Sequence, residues 1–179
     1  YGALESLNAE ELSSLGITSL ENLDIEGMTA FKEGLLLGLK APLDKDGNAL
    51  VWRLERPDAL LAGGSTQEAG LSLWNRVSVK LHADDALVPG GISELLSLPD
   101  GSLMFAATAS EGDPNRQDGS LWWAAAPEGK NPVAARRLEE FRDLKPEGLA
   151  VSPTPGRIVV TFDRGSKTPK WAERSRPTR

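Results

Sequence analysis

Two glutamates, Glu26 and Glu147, occupy equivalent places in a repeated stretch of the sequence and are the side chains best suited to carry chemistry. Each is followed by glycine and stands at the start of a short apolar segment. Carboxylates gathered at one point repel one another unless a cation neutralises them, and their oxygens suit Ca²⁺. The pattern favours a structural role, in which each glutamate accepts backbone N–H bonds from a neighbouring repeat. A calcium or substrate site is the alternative, with Glu26 and Glu147 as candidate ligands.

The repeat that carries these glutamates has three copies, starting at Ile25, Ile92 and Pro146. The first two, I-E-G-M-T-A-F-K-E-G and I-S-E-L-L-S-L-P-D-G, align without a gap. The third, P-E-G-L-A-V-S-P-T-P-G, has one extra residue in its turn. Self-similarity of this kind indicates a repeat architecture. The middle copy has Ser93 where the others have glutamate, which makes Ser93 a candidate binding residue at the same place.

Each copy predicts a hairpin, and the first two copies predict a third and a fourth strand. The Asp46-Gly47 and Asp118-Gly119 pairs precede apolar runs, which is a strong hairpin signal. Four antiparallel strands per repeat are typical of a β-propeller blade. The predicted hairpins are Ile25–Phe31 with Leu35–Leu39, Ile92–Leu98 with Leu103–Ala107, and Glu147–Val151 with Ile158–Phe162; the fourth strands are Leu73–Leu81 and about 135–144.

The sequence as a whole therefore predicts an all-β protein with one propeller-type domain over 1–179, containing about two and a half to three blades. Short strands with turn signals also describe a sandwich or a barrel, but the gapless repeat favours the propeller. Residues 1–24 form an N-terminal segment with a short helix from Asn8 to Gly16. So few blades cannot close a ring. We expect either a missing portion of a longer chain or a homodimer that completes a six-bladed ring.

Three segments of the sequence resemble a known family: D-I-E-G-M-T-A-F, G-L-L-L-G-L-K-A-P and K-P-E-G-L-A-V. They look like a bacterial domain-of-unknown-function family that is similar to the esterase-like phytase propellers. The Glu-Gly pair at the head of an inner strand more distantly resembles the calcium-dependent gluconolactonase group, which are six-bladed propellers with a central metal. The resemblance implies a propeller with a polar central funnel. Ser93 departs from the pattern, and the lactonase ligand set is not identifiable here.

Further candidate site residues lie near the ends of predicted strands. Asp163 ends the second strand of the third copy, where it could join the glutamates as a calcium ligand, and Arg164 beside it is a candidate for ligand binding. Trp122 and Trp123 are neighbours, so their side chains must face opposite sides of a strand. One of them recurs at the position of Trp52, which indicates packing, and the extra tryptophan, assigned as Trp122, is a candidate for partner contact.

Two other patterns favour ordinary structure over chemistry. The loop Asp44–Asn48 has alternating oxygen-bearing side chains but lacks the glutamate of an EF-hand, so a hairpin turn is the better interpretation. His82 is the sole histidine, which excludes a site built on two or three histidines from this chain. A surface loop position is expected for it.

Composition narrows the classes of function. The formal net charge of −6 disfavours a nucleic-acid partner, and no apolar run is long enough to span a membrane. Cysteine is absent, so thiolate chemistry is excluded, and with no signal peptide in the sequence the compartment stays open. Two hypotheses remain: a metal-dependent hydrolase of small or phosphorylated esters or lactones, and a non-catalytic propeller that binds a small-molecule ligand or serves as an interaction scaffold.

Overall fold

The computed structural model describes residues 2–83, 86–109, 118–125, 133–164 and 166–177, and within these the fold is all-β. Three short helices accompany the strands in the described residues: α1 Gly2–Glu5, α2 Ala9–Ser14 and α3 Pro57–Leu61. The described strands are β1 Asp24–Phe31, β2 Gly34–Ala41, β3 Ala49–Leu54, β4 Leu71–Ser78, β5 Lys80–Ala83, β6 Ala86–Ser97, β7 Leu103–Ala109, β8 Gly119–Ala124, β9 Val133–Phe141, β10 Lys145–Val151, β11 Arg157–Asp163 and β12 Lys170–Ser175.

The strands form two antiparallel meanders and a smaller sheet, one for each sequence repeat. Strands β1 to β4 make the first meander, β6 to β9 the second meander, and β10 to β12 the third sheet. The predicted hairpins are confirmed, and the segment around Trp171 supplies the last strand of the third sheet. The predicted strand Leu73–Leu81 is interrupted, because its last residues belong to β5, which pairs with β6.

The expectation of a separate sheet for every repeat needs correction. A parallel pairing of two residue pairs, Val77 with Val133 and Ser78 with Ala134, joins β4 to β9. The two meanders and β5 therefore form one nine-stranded sheet, in the order β1-β2-β3-β4-β9-β8-β7-β6-β5. The sequence pattern could not predict this join, because it depends on how two outer strands meet in space.

The repeats correspond residue by residue in their irregularities. The first strand of each copy has a register shift around one residue: Glu26 in β1, Ser93 in β6 and Glu147 in β10. A second shift follows Val51 in the first meander and the equivalent Leu121 in the second. A β-bulge places one extra residue in a strand and re-aims its side chain. The residues nominated from sequence are thus the bulged residues of three matching strands.

Close backbone approach brings the first and second meanders together. Ile92 packs so tightly on β2 that a Cβ added at Gly38 would lie 2.6 Å from its Cγ2 atom. A Cβ at Gly91 would collide with the carbonyl group of Lys40. Glycine is required at both places because the neighbouring strand occupies the space of a side chain. The second half of β2 is therefore held against the middle of β6.

Separate apolar clusters fill the spaces around the sheets. Leu36 and Val51 of the first meander pack with Phe105 and Trp122 of the second. Another cluster joins the second meander to the third sheet, and its fully or nearly fully buried members are Leu98, Met104, Leu121, Phe141, Ile158, Val160 and Phe162.

The N-terminal segment covers the remaining face of the first meander. Leu15 and Ile17 pack on Leu39, Leu50 and Trp52, and the indole N–H of Trp52 donates to the Leu15 carbonyl oxygen at 2.8 Å. The predicted helix is present as α2. Asn8 is its N-cap, and a capping box with Glu11 fixes its start. No helix of the described residues is long and apolar enough to cross a membrane.

The contact between Gly38 and Ile92 yields a test of the packing. Gly38→Ala should lower the free energy of unfolding by about 1–3 kcal/mol through overpacking, and Ile92→Ala by about 2–5 kcal/mol through cavity formation. Ile92→Ala removes the methyl group that the new Cβ meets. The double variant should therefore lose less free energy of unfolding than the sum of the two single-variant losses. Urea denaturation measures all three variants.

Leu87, on the same strand as Ile92, provides the control for that cycle. Its side chain is 60% exposed, so the losses from Leu87→Ala and Gly38→Ala should add within about 0.5 kcal/mol. Simple additivity of the Gly38 and Ile92 variants would contradict the packing described here.

Candidate functional site

The three bulges are linked to one another across β1, β6 and β10, the strands that carry the matching segments of the three repeats. The ammonium group of Lys145 interacts electrostatically with Glu26 of the first repeat as well as with Glu147. The hydroxyl of Ser93 donates to the Pro146 carbonyl oxygen at 3.3 Å, which ties β6 to β10. We call this assembly the bulge cluster; its members are Asp24, Glu26, Lys40, Ser93, Glu94, Thr108, Lys145, Glu147 and Asp163.

In the first repeat, a lysine on β2 neutralises two acids on β1. Lys40 Nζ lies 2.9 Å from Glu26 Oε1 and 3.7 Å from Asp24 Oδ2. The side chains of Lys40 and Glu26 are mostly buried, whereas that of Asp24 is half exposed. The pair with Glu26 is therefore the tighter of the two, and it ties the bulge of β1 to the neighbouring strand.

In the third repeat, the lysine and the glutamate lie on the same strand, β10. Lys145 forms an ion pair with Glu147, two residues further along β10. Burial lowers the pKa of Lys145, but the hydrogen bond to Glu147 and the charges of Glu147, Glu26 and Asp163 outweigh burial and leave that pKa raised. Lys145 therefore stays protonated at neutral pH and serves as the shared cation of the cluster.

The second repeat has uncharged residues at the positions where the first and third repeats have these acids and lysines. Gly91 stands where the first and third copies have Asp24 and Lys145. Thr108 stands near the end of the second strand, at the position where these copies have Lys40 and Asp163. The acid and the lysine are thus exchanged between the first and third repeats, on either side of a neutral middle repeat.

Glu94, next to the bulge of β6, is a half-buried carboxylate whose pKa is raised by its surroundings. Burial raises the pKa of Glu94, and the nearby charge of Glu147 raises it further. Hydrogen bonds from the backbone N–H groups of Leu95, at 2.8 Å, and Met28 act in the opposite direction without cancelling the shift. Glu94 also connects β6 to β1 through the bond from Met28.

Two buried polar atoms of the cluster have no hydrogen-bond partner among the described residues. They are Glu26 Oε2 and Thr108 Oγ1, on neighbouring repeats. Native proteins satisfy nearly all buried polar atoms with protein groups or water. Each of these atoms therefore has the capacity for a further hydrogen bond, to water or to another polar group.

The donor set does not fit the predicted calcium ion. No group of three acidic, histidine or cysteine side chains able to hold a metal occurs in the part of the chain that the structure describes. Glu26 and Glu147 each already face an ammonium group, whereas Ca²⁺ takes six to eight oxygen ligands. Asp163 is likewise near Lys145. Lysine nitrogens supply the positive charge that a calcium ion was expected to supply.

The remaining predicted binding residues lie away from the cluster or have other partners. Arg164 donates from Nη1 to the Thr168 carbonyl oxygen at 3.2 Å. Trp122 is buried between the two meanders, where it stacks on Phe105 and its indole N–H donates to Ser120 Oγ at 2.7 Å. Since Trp122 pairs with Phe105 as Trp52 pairs with Leu37, it is the packing tryptophan of its repeat and not a surface contact.

The Asp44–Asn48 loop is a hairpin turn, as expected. Asp44 Oδ1 accepts bonds from the backbone N–H groups of Asp46 and Asn48, and Asp44 also pairs with Arg76 at 3.2 Å. Burial alone would raise the pKa of Asp44, but these contacts outweigh it and leave the pKa lowered. His82 is exposed, as predicted, although it lies within β5 and not in a loop.

Sequence reasoning missed Lys40, Lys145 and Glu94. A signal for the lysines was available in the aligned repeats. In copies one and three, the residue before the copy is charged (Asp24 and Lys145), and so is the residue after its predicted second strand (Lys40 and Asp163). The sequence contained no such signal for Glu94, because its raised pKa depends on burial against β1. Comparison with protein family models, curated proteins and solved structures finds no match for this chain.

The raised pKa of Glu94 predicts a specific dependence of stability on pH. With a folded pKa above the unfolded one, the stabilising contribution is complete below the unfolded pKa and is lost as pH rises through the folded pKa. Glu94→Gln removes this loss, so its free energy of unfolding should increase relative to that of the natural chain as the pH rises above the unfolded pKa of glutamate, about 4. Urea denaturation at several pH values measures the difference.

Glu33→Gln is the matched control, because it removes one negative charge from an exposed turn. A Glu94→Gln profile that follows the Glu33→Gln profile at every pH would show that burial does not govern the protonation of Glu94.

Proposed function

We propose that this chain is a β-propeller module of three successive blades, which binds a small polar ligand at the bulge cluster without catalysing its conversion. The proposal has two parts, the propeller geometry and the binding role, and each rests on different observations.

The propeller geometry is supported by the matching irregularities of the repeats. Three inner strands, β1, β6 and β10, bulge at equivalent residues, and each leads into an antiparallel hairpin. Charge contacts and the Ser93 hydroxyl bond connect these strands, as expected of inner strands around a common axis. In this proposal the short pairing of β4 with β9 is a contact between the outer strands of neighbouring blades.

The observation that carries the binding role is the pair of unsatisfied atoms, Glu26 Oε2 and Thr108 Oγ1. A carboxylate oxygen accepts hydrogen bonds, and a threonine hydroxyl both donates and accepts. The cluster contains more acidic groups than lysines, so it repels anions. A ligand with hydroxyl or ammonium groups would complete these bonds and fit the charge of the cluster.

Catalysis is the second candidate, and Glu94 is the observation that favours it. A half-buried carboxylate with a raised pKa beside a second carboxylate, Glu147, is an arrangement that acid–base enzymes use. It would make the protein a hydrolase of small or phosphorylated esters or lactones. The lysine pairs of Glu26 and Glu147 weaken this candidate, because they hold these carboxylates in structural contacts.

The binding role is tested by thermal denaturation in the presence of glucose, sorbitol and spermidine, which carry hydroxyl or ammonium groups. At least one of them should raise the melting temperature of the natural chain by specific binding. Glu26→Gln and Thr108→Val should reduce that shift, whereas Glu33→Gln should retain it. A shift shared equally by all variants, or the absence of a shift, would contradict the binding proposal.

Calcium removal and a substrate panel separate the two candidates. For a binding module with lysine-neutralised carboxylates, neither CaCl₂ nor EDTA should change the melting temperature, and p-nitrophenyl acetate, p-nitrophenyl phosphate and a simple lactone should not be hydrolysed above background. Hydrolysis that is lost in Glu94→Gln would establish the enzyme instead. A calcium-dependent rise in melting temperature that is lost in Glu147→Gln would establish the metal site.

A further inference from the structure

A groove lies between β9, the last strand of the second meander, and β12, the last strand of the third sheet. Its cavity volume is about 410 Å³, which is within the range of small-molecule sites. We call it the arginine groove; its lining includes Leu121, Arg136, Leu138, Glu139, Arg174 and Arg176.

The carboxylates on these two strands are already neutralised by arginines. The ion pairs are Glu139 with Arg174, Glu140 with Arg137, and Glu173 with Arg157. Arg136 and Arg176 remain, and neither has an ion pair with a carboxylate of the described residues. Both line the arginine groove, so their two positive charges are uncompensated there.

The arginines of the groove are held in place by packing and hydrogen bonds. Arg136 lies over the ring of Trp123, 5.7 Å from its centroid, and Arg174 lies over Phe141 at 5.9 Å. The backbone N–H of Arg176 donates to a carbonyl oxygen in the turn between β10 and β11 at 2.7 Å. A guanidinium group that is already oriented loses less conformational entropy when it binds an anion.

The first meander shows that the repeat does not require charges at these positions. By the matching strand registers, Ser72 and Asn75 of β4 correspond to Arg136 and Glu139 of β9. The first meander thus has two uncharged side chains where the second has an arginine and a glutamate. The charges of the groove are therefore particular to the second meander and the third sheet.

The part of the chain that forms β9 to β12 is also basic as a whole. Residues 133–179 contain eleven of the 20 lysines and arginines but six of the 26 aspartates and glutamates. The positive charge of an acidic protein is thus concentrated in the segment that builds the groove. Charge asymmetry of this kind indicates an anionic partner.

We propose that the arginine groove is a binding site for a phosphate group. The planar fork of a guanidinium group forms paired hydrogen bonds with phosphate oxygens. A phosphate monoester carries between about 1.5 and 2 negative charges at pH 7, which matches two uncompensated arginines better than a single carboxylate does. The cavity leaves room beside the phosphate for the remainder of a small molecule. This inference does not depend on the ligand proposed for the bulge cluster.

Isothermal titration calorimetry at constant ionic strength tests the site with inorganic phosphate and with glucose 6-phosphate. Binding of either compound supports the site, and the tighter one identifies a free ion or an ester as its ligand. Arg136→Gln and Arg176→Gln should each raise the dissociation constant about tenfold or more, because each removes a charge-assisted hydrogen bond. Arg136 is exposed, so its substitution should leave the melting temperature nearly unchanged.

Arg142→Gln is the matched control, because Arg142 is exposed in the turn after β9 and outside the groove. It should leave the dissociation constant nearly unchanged. Glu26→Gln, which alters the bulge cluster, should likewise retain phosphate binding. Succinate, a dianion without phosphate, should bind more weakly than the tighter phosphate compound.

The absence of binding by both phosphate compounds would overturn the inference. An equal loss of affinity in Arg142→Gln and Arg136→Gln would also overturn it, because it would show a general response to charge. Succinate binding as tight as that of phosphate would overturn the assignment of the groove to phosphate.

Discussion

The close contact between β6 and the first meander is the constraint on which the rest of the structure depends. Ile92 fits against Gly38, and the backbone of Gly91 lies against the Lys40 carbonyl, with no room for a side chain between them. This contact fixes how closely β2 and β6 approach each other. Because Glu26 and Ser93 are the bulged residues next to it, the same contact determines which polar groups meet in the bulge cluster.

Burial and charge compensation explain how so many ionised groups remain together there. Each of the tight carboxylate pairs is formed within one repeat, Glu26 with Lys40 and Glu147 with Lys145. Contacts between repeats combine a neutral hydrogen bond, from the Ser93 hydroxyl to the Pro146 carbonyl oxygen, with the charge interaction of Lys145 and Glu26. The neutral bond avoids the desolvation cost of buried charges, and the charge interaction lets Lys145 compensate carboxylates of two repeats.

Much of the fold could be predicted from the sequence, because a hairpin depends on local turn residues and on alternation within about ten residues. The sequence copies that start at Ile25, Ile92 and Pro146 predicted β1, β6 and β10 and drew attention to the glutamates at their bulges. The pairing of β4 with β9 and the separation of β5 could not be predicted, since they arise from packing between distant segments. The lysine partners of the glutamates were missed although the aligned repeats contained a signal for them, whereas the surroundings of Glu94 depend on packing against β1.

The exchange of acid and lysine between the first and third repeats has a consequence for assembly during folding. Similar repeats in one chain risk trading places, which produces misassembled or swapped species. In the first repeat, Asp24 at the start of β1 is paired with Lys40 on β2. In the third repeat, Lys145 at the start of β10 interacts with Asp163 on β11. If the strands of these repeats were interchanged, like charges would face each other at the strand ends. The charge pattern thus favours the pairing of β1 with β2 and of β10 with β11 over the interchanged pairings.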